Sequence, residues 1–176
     1  GKGQGSINFL FRREAKAGSV LETQSAVTTT AGNDNTGRLG ESLSISTDEN
    51  FVVAGGPYTN SLGSDGSTRF ANAGIIKIFV WDPSTFKYGV LTTLRPPTDG
   101  STLNENANFG WSHKISEPGV SSVRTTPDKY LFVSAPGHDN DTGRVYMYTW
   151  GVGADGSTYD RWTNDFTLEA PDGGSG

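Results

Sequence analysis

Cysteine is absent from the 176 residues. That excludes a disulfide framework and CxxC redox chemistry, while leaving the compartment open. No run approaches the length of apolar sequence that a transmembrane helix needs. No segment sustains a helical period, so long helices are not expected. Lys and Arg total 14 against 19 Asp and Glu, for a net charge of −5. The cations are scattered, and without a basic stripe to neutralise phosphates a nucleic-acid partner is not expected. Histidine occurs only at 113 and 138. There is neither an initiator Met nor a signal-peptide pattern. The opening Gly1-Lys2-Gly3-Gln4-Gly5 reads as mid-turn, so a piece of a longer or processed protein is expected.

Glycine, in contrast, occurs 24 times, roughly twice the usual share, which suits many short strands joined by turns. Much of it sits in turns, and three copies are periodic. Gly5, Gly74 and Gly143 stand 69 residues apart, and each opens a strand-like run: Ser6–Phe11, Ile75–Val80 and Arg144–Thr149. Alternate positions in these runs are Ile7/Phe9/Phe11, Ile76/Ile78/Val80 and Val145/Met147/Thr149. This is the period-two pattern of a strand with one apolar face. The opposite face carries Phe79 and Trp81 in one copy, and Tyr146, Tyr148 and Trp150 in the next. A sheet with apolar groups on both faces lies between other sheets. The alternation places Ile76, Ile78, Val145 and Met147 in the buried interfaces.

Two further correspondences define the unit. Leu39-Gly40-Glu41-Ser42-Leu43-Ser44-Ile45-Ser46 matches Phe109-Gly110-Trp111-Ser112-His113-Lys114-Ile115-Ser116. Phe51-Val52-Val53-Ala54-Gly55-Gly56-Pro57 matches Tyr130-Leu131-Phe132-Val133-Ser134-Ala135-Pro136. A fourth strand ends at Leu94-Arg95-Pro96-Pro97 and again at Leu168-Glu169-Ala170-Pro171. Four antiparallel strands per repeat is the pattern of a propeller blade. The expected organisation is all-β. Residues 1–30 supply the last two strands of one blade, and residues 31–100 and 101–176 form two full blades. Asp-Gly-Ser-Thr recurs at Asp65, Asp99 and Asp155, in different loops of the unit, as a reused turn.

These residues resemble the FG-GAP repeat, the blade of integrin α-chain propellers and of many exported microbial and viral proteins. Phe109-Gly110 takes the place of FG, with Leu39-Gly40 a near copy. Ser134-Ala135-Pro136 and Gly55-Gly56-Pro57 take the place of GAP, and Gly143-Arg144-Val145-Tyr146-Met147-Tyr148 resembles the strand that follows. The likeness spans 38–171 as two blades and 5–28 as half of another. Calcium-binding members carry D-x-D-x-D-G between the FG and GAP strands. Thr47-Asp48-Glu49-Asn50 and Glu117–Asp128 lack three alternating carboxylates, and Ca²⁺ needs six to eight oxygens. No metal or cofactor is therefore carried over from the family.

The chemistry-bearing residues are sparse. His138, Asp139 and Asp141 suit either metal ligation or a tight turn. The turn is favoured because Asn33-Asp34-Asn35-Thr36-Gly37-Arg38 closes in the same way without histidine. Ser112-His113 sits in a strand pattern without the G-x-S-x-G elbow that a hydrolase triad would use. Asp160, Asp165 and Glu169 form no motif of paired acids. Trp81 and Trp150 are repeat-equivalent and read as packing. Trp111 and Trp162 have no such counterparts and read as surface-binding candidates. Tyr58, Arg69 and Phe70 lie in an insertion of the first repeat, Tyr58–Asn72, and suit interface anchors. Asn140-Asp141-Thr142 is a sequon, meaningful only along a eukaryotic secretory route.

The resemblance implies a non-catalytic structural or interaction module on an extracellular or virion surface, an adhesin or a phage tail or fibre component. Its partners are further blades or subunits of the same assembly, or a host or cell-surface protein or glycan. The alternative is a carbohydrate-binding or carbohydrate-active propeller, either lectin or glycosidase.

Overall fold

A computed structural model describes residues 9–12, 21–24, 37–62, 69–97, 105–117, 129–152 and 158–169. The chain is built from antiparallel sheet. β1 (Phe9–Arg12) and β2 (Leu21–Gln24) form a two-stranded pair. The first large sheet holds β3 (Ser42–Ile45), β4 (Phe51–Gly56), β7 (Ile75–Asp82) and β8 (Lys87–Leu94). Between β4 and β7 the chain makes a small hairpin, β5 (Ser61–Leu62) with β6 (Arg69–Phe70). The second large sheet holds β9 (His113–Ser116), β10 (Lys129–Ala135), β11 (Arg144–Val152) and β12 (Thr158–Glu169). The Asp-Gly-Ser-Thr turns at Asp65, Asp99 and Asp155 lie outside the described residues.

Each large sheet is a meander in which successive strands pair antiparallel. The registers also repeat. Across the first sheet run the rows Ser44/Val53/Ile78/Thr92 and Gly55/Ile76/Leu94. Across the second run Lys114/Phe132/Met147/Phe166 and Ser134/Val145/Leu168. Strand identity follows composition, since β4 and β7 are nearly continuous Val, Ile, Phe and Ala and pack on both faces.

Local chemistry closes the hairpins. Between β3 and β4, the Phe51 amide donates to Ser46 Oγ at 2.9 Å and the Asn50 amide donates to Asp48 Oδ1 at 3.1 Å. Between β7 and β8, Asp82 Oδ1 accepts from the Ser84 amide at 2.9 Å. Such Asx and Ser turns fix a reversal without glycine. The one helix-like turn among the described residues, His138–Asp141, is left-handed, with φ of 49° at Asp139, 54° at Asn140 and 68° at Asp141. The Asn-Asp-rich sequence there is what tolerates this conformation.

The two sheets stack face to face. Phe51, Val53, Ile76 and Ile78 of the first pack on Ile115, Leu131, Val133, Tyr146, Tyr148 and Trp162 of the second. The other face of the first sheet buries Leu39, Val52, Ala54 and Phe79. Ile76 and Ile78 are buried as the alternation predicts. Val145 and Met147 are not: they are half-exposed, while Tyr146 and Tyr148 occupy the interface. The reason is geometric. Both sheets present corresponding faces in the same sense, so the even face of the first meets the odd face of the second.

The lead-in to β9 is locked between the sheets by glycine. Gly74 has φ +89°, and a Cβ there would lie 2.1 Å from the Phe109 carbonyl oxygen. Gly110 has φ +87°, and its Cβ would lie 2.6 Å from the Ile75 carbonyl oxygen. Only glycine allows both this backbone conformation and this approach.

Candidate functional site

Along the seam between the sheets, β3 faces β9. Ser42 Oγ donates to the Gly110 carbonyl at 2.8 Å, and Ser44 Oγ lies 2.9 Å from His113 Nδ1. At one end of the seam Lys129 Nζ, its side chain only 9% exposed, donates to Asp48 Oδ2 at 2.7 Å and Glu117 Oε1 at 3.0 Å. The ammonium also sits 5.6 Å above the Phe51 ring. Burial opposes the charge on Asp48. Hydrogen bonds from Lys129, Ser46 and Asn50 outweigh it and hold the carboxyl well below the usual range. Burial likewise opposes the Lys129 charge, but Asp48 and Glu117 raise its pKa. This trio is a staple between sheets, and sequence reading missed it. Its members are separated by 81 and 12 residues, and no local spacing signals the contact.

The first sheet's loops and the lead-in to β9 meet in an aromatic patch. Tyr58 and Trp111 pack edge to face with ring centroids 5.8 Å apart. The Arg38 guanidinium lies 4.9 Å over the Tyr58 ring, and its Nη1 is 3.9 Å from Glu41 Oε2. Trp111 is 47% exposed. Two backbone contacts place the rings: the Tyr58 amide donates to the Gly37 carbonyl at 3.4 Å, and the Trp111 amide to Asn108 at 3.0 Å. An exposed Trp111 ring beside a guanidinium and a carboxylate suits stacking plus hydrogen bonding to a polar ligand. Sequence reading proposed Tyr58 and Trp111 separately; the fold brings them together and adds Arg38 and Glu41.

The remaining candidates fall elsewhere. Arg69 points outward from β6, while Phe70 is buried. Trp162 is also buried. It packs against Phe51 at 6.0 Å and Trp150 at 5.8 Å, so it belongs to the core and not to a binding surface. Trp81 packs with Phe86 and Tyr88, and Trp150 with Phe51.

His113 bonds Ser44 rather than Ser112, and burial, partly offset by the Ser42 backbone, lowers its pKa. Ser112 instead exchanges hydrogen bonds with Ser134. His138 is buried edge-on to Tyr146, while Asp141 is exposed, so the two do not share an environment. Glu169 pairs with Arg144; the side chains of Asp160 and Asp165 lie outside the described residues. Among the described residues no cluster of three or more His, Asp or Glu gathers as a metal site. No helix among them is long and apolar enough to cross a membrane.

Compared with known proteins, the chain matches no family model and no curated sequence.

Proposed function

We propose that this chain is a non-catalytic structural and interaction module on an extracellular or virion surface, of the adhesin or phage tail and fibre type, built from FG-GAP-like propeller blades. One observation carries the reading. Two sheets of the same topology and register stack with the same sense, and each leaves an apolar face turned away from the other. Leu43, Ile45 and Val90 are 60%, 52% and 48% exposed on one side, and Phe166 and Leu168 are 53% and 50% exposed on the other. Stacking of this kind extends by addition of further like sheets, and contiguous exposed apolar faces mark interaction surfaces. Further blades or subunits of the same assembly are the natural occupants. The loops then remain available for a host or cell-surface protein or glycan.

The test is to image the purified chain and its natural assembly by electron microscopy while measuring attachment of the labelled chain to host cells. Ring or stack particles with saturable attachment support the reading. A chain that turns over a glycan overturns it. A second reading, a carbohydrate-binding propeller, is favoured by one feature, the exposed Trp111 ring packed on Tyr58 beside Arg38 and Glu41. Stacking of a sugar ring on Trp111 would use that patch directly.

A further inference from the structure

The internal repeat allows one end of each sheet to be compared with its counterpart. In the first sheet, Pro57, Gly74, Ile76 and Leu94 form a platform under residues 105–110. That segment runs beside residues 71–73. The Asn106 amide donates to the Ala71 carbonyl at 2.7 Å, Asn108 to Asn72 at 2.9 Å and Phe109 to Ala73 at 2.9 Å. Asn108 Nδ2 donates to the Pro57 carbonyl at 3.2 Å. The Phe109 ring is fully buried, and Gly110 passes over Ile76. This docking adds to the shared core and the Lys129 staple in coupling the second sheet to the first.

In the second sheet the corresponding residues are Pro136, Gly143, Val145 and Leu168. The register supports the match, since Ile76 pairs with Leu94 as Val145 pairs with Leu168. The turn before the glycine matches too: Asn72 (φ 48°) precedes Gly74 as Asp141 (φ 68°) precedes Gly143. Here these residues, with Arg144 and Glu169, line a shallow cavity of about 370 Å³. A Cβ on Gly74 would strike Phe109 at 2.1 Å. One on Gly143 would meet nothing among the described residues nearer than the Pro136 carbonyl at 3.4 Å. Val145 and Leu168 share their sheet face with Phe132, Met147 and Phe166, the counterpart of the face that the first sheet buries against the second.

We propose that this cavity is an acceptor site for an extended segment of a partner polypeptide carrying an aromatic residue followed by glycine, docked as residues 105–110 dock on the first sheet. The aromatic ring lies on Val145 and Leu168, and the glycine lets the partner backbone cross Gly143 closely. The partner's main-chain amides face the 140–142 carbonyls, the counterparts of those at 71–73. The Arg144–Glu169 pair at the rim, where the first sheet has Ile75 and Arg95, favours a polar residue before the aromatic, as Asn108 precedes Phe109. The assignment rests on the interaction-module reading and gives that module a specific ligand chemistry.

The probe is a fluorescently labelled synthetic peptide with the sequence of residues 104–111, added to the full chain. Saturable binding is expected, with amide shifts at Gly143, Arg144, Val145 and Leu168. Phe109→Ala in the peptide, or Leu168→Arg in the protein, should each weaken binding about tenfold or more. Leu168 is half-exposed, so its variant should keep the thermal midpoint. The peptide variants test the contact on unaltered protein if it does not. No saturation up to about 1 mM, equal binding of the alanine peptide, or shifts confined to residues 71–76 would each overturn the assignment. Self-association abolished by Leu168→Arg without peptide binding would overturn it in favour of a second copy. Attachment to host cells through the Tyr58–Trp111 patch is measured separately, so loss of this site alone leaves the broader reading standing.

Discussion

Ser44 and His113, 69 residues apart, meet at 2.9 Å where the first strands of the two sheets face each other. The histidine's other nitrogen, Nε2, is buried with no hydrogen-bond partner among the described residues. A charged imidazolium there would carry an unsatisfied donor into a buried position. Burial accordingly lowers the His113 pKa below its ordinary 6.5. The unfolded chain therefore binds a proton that the folded chain resists. Stability contributed by neutral His113 is complete above pH 6.5 and is lost as the pH falls from there toward the depressed folded value. Thermal midpoints measured from pH 8 to 5 should fall on the acid side, and His113→Gln should flatten that slope. An unchanged slope in the variant would place the acid sensitivity elsewhere.

The Lys129 staple makes a second prediction. Lys129→Met keeps the stem over Phe51 but leaves Asp48 and Glu117 facing each other. Breaking a buried pair costs several kcal/mol, but Asp48 is 37% exposed. Solvent screening reduces the loss to about 1–3 kcal/mol. A double-mutant cycle with Asp48→Asn should show coupling, because both substitutions act on one contact. The carboxylates at this end of the seam are already met by an ammonium, so a chelator should leave the thermal midpoint unchanged. A drop of several degrees on adding EDTA would mean that a cation binds in the β3–β4 or β9–β10 loops after all.

The repeated glycines and apolar alternation locate the strands of the two large sheets, but not the β5–β6 hairpin inside Tyr58–Asn72. β7 and β11 begin directly after Gly74 and Gly143, and β8 and β12 end at Leu94 and Glu169. Period two tells which residues share a face, but not which face meets a neighbour. Val145 and Met147 therefore read as interior although Tyr146 and Tyr148 take that place. Likewise nothing local separates Trp111 from Trp162. Trp162 is buried because Phe51 and Trp150 reach it from other strands, whereas Trp111 follows a turn at the edge. The Tyr58–Asn72 insertion reads as a detachable loop. In the fold its base is part of the body, with Thr59, Ser61 and Phe70 buried.

That contrast between faces gives a third prediction. Ile78 is fully buried between the sheets, so Ile78→Ala should cost about 2–5 kcal/mol through lost burial and a residual cavity. Its repeat counterpart Met147 lies on the outward face and is half-exposed. Met147→Ala should cost less than about 1 kcal/mol in the isolated chain, where the transfer and cavity losses are small. Denaturant unfolding of both variants checks the pair. A large loss for Met147→Ala in a chain shown to be monomeric would mean that this face is covered.

The last prediction concerns the aromatic patch. Trp111 is exposed and held by the Asn108 turn, while Tyr58 braces it and Arg38 caps Tyr58. Removing the Trp111 ring therefore leaves the core intact, because the buried side chains of both sheets do not depend on it. Trp111→Ala should keep the thermal midpoint within about 1–2 °C, as for other exposed substitutions of small free-energy effect. If the patch is an anchor, the same change should weaken attachment to a host surface or glycan array about tenfold or more, the scale of a truncated aromatic hot spot. Tyr58→Phe should be nearly neutral, since the edge-to-face packing survives without the hydroxyl. Tyr58→Ala should repeat the Trp111 effect by releasing the ring it braces. Wild-type attachment by both alanine variants, with folding verified, would remove the patch from the functional account. The cavity beside Gly143 and the outward sheet faces would then be the surfaces left to carry recognition.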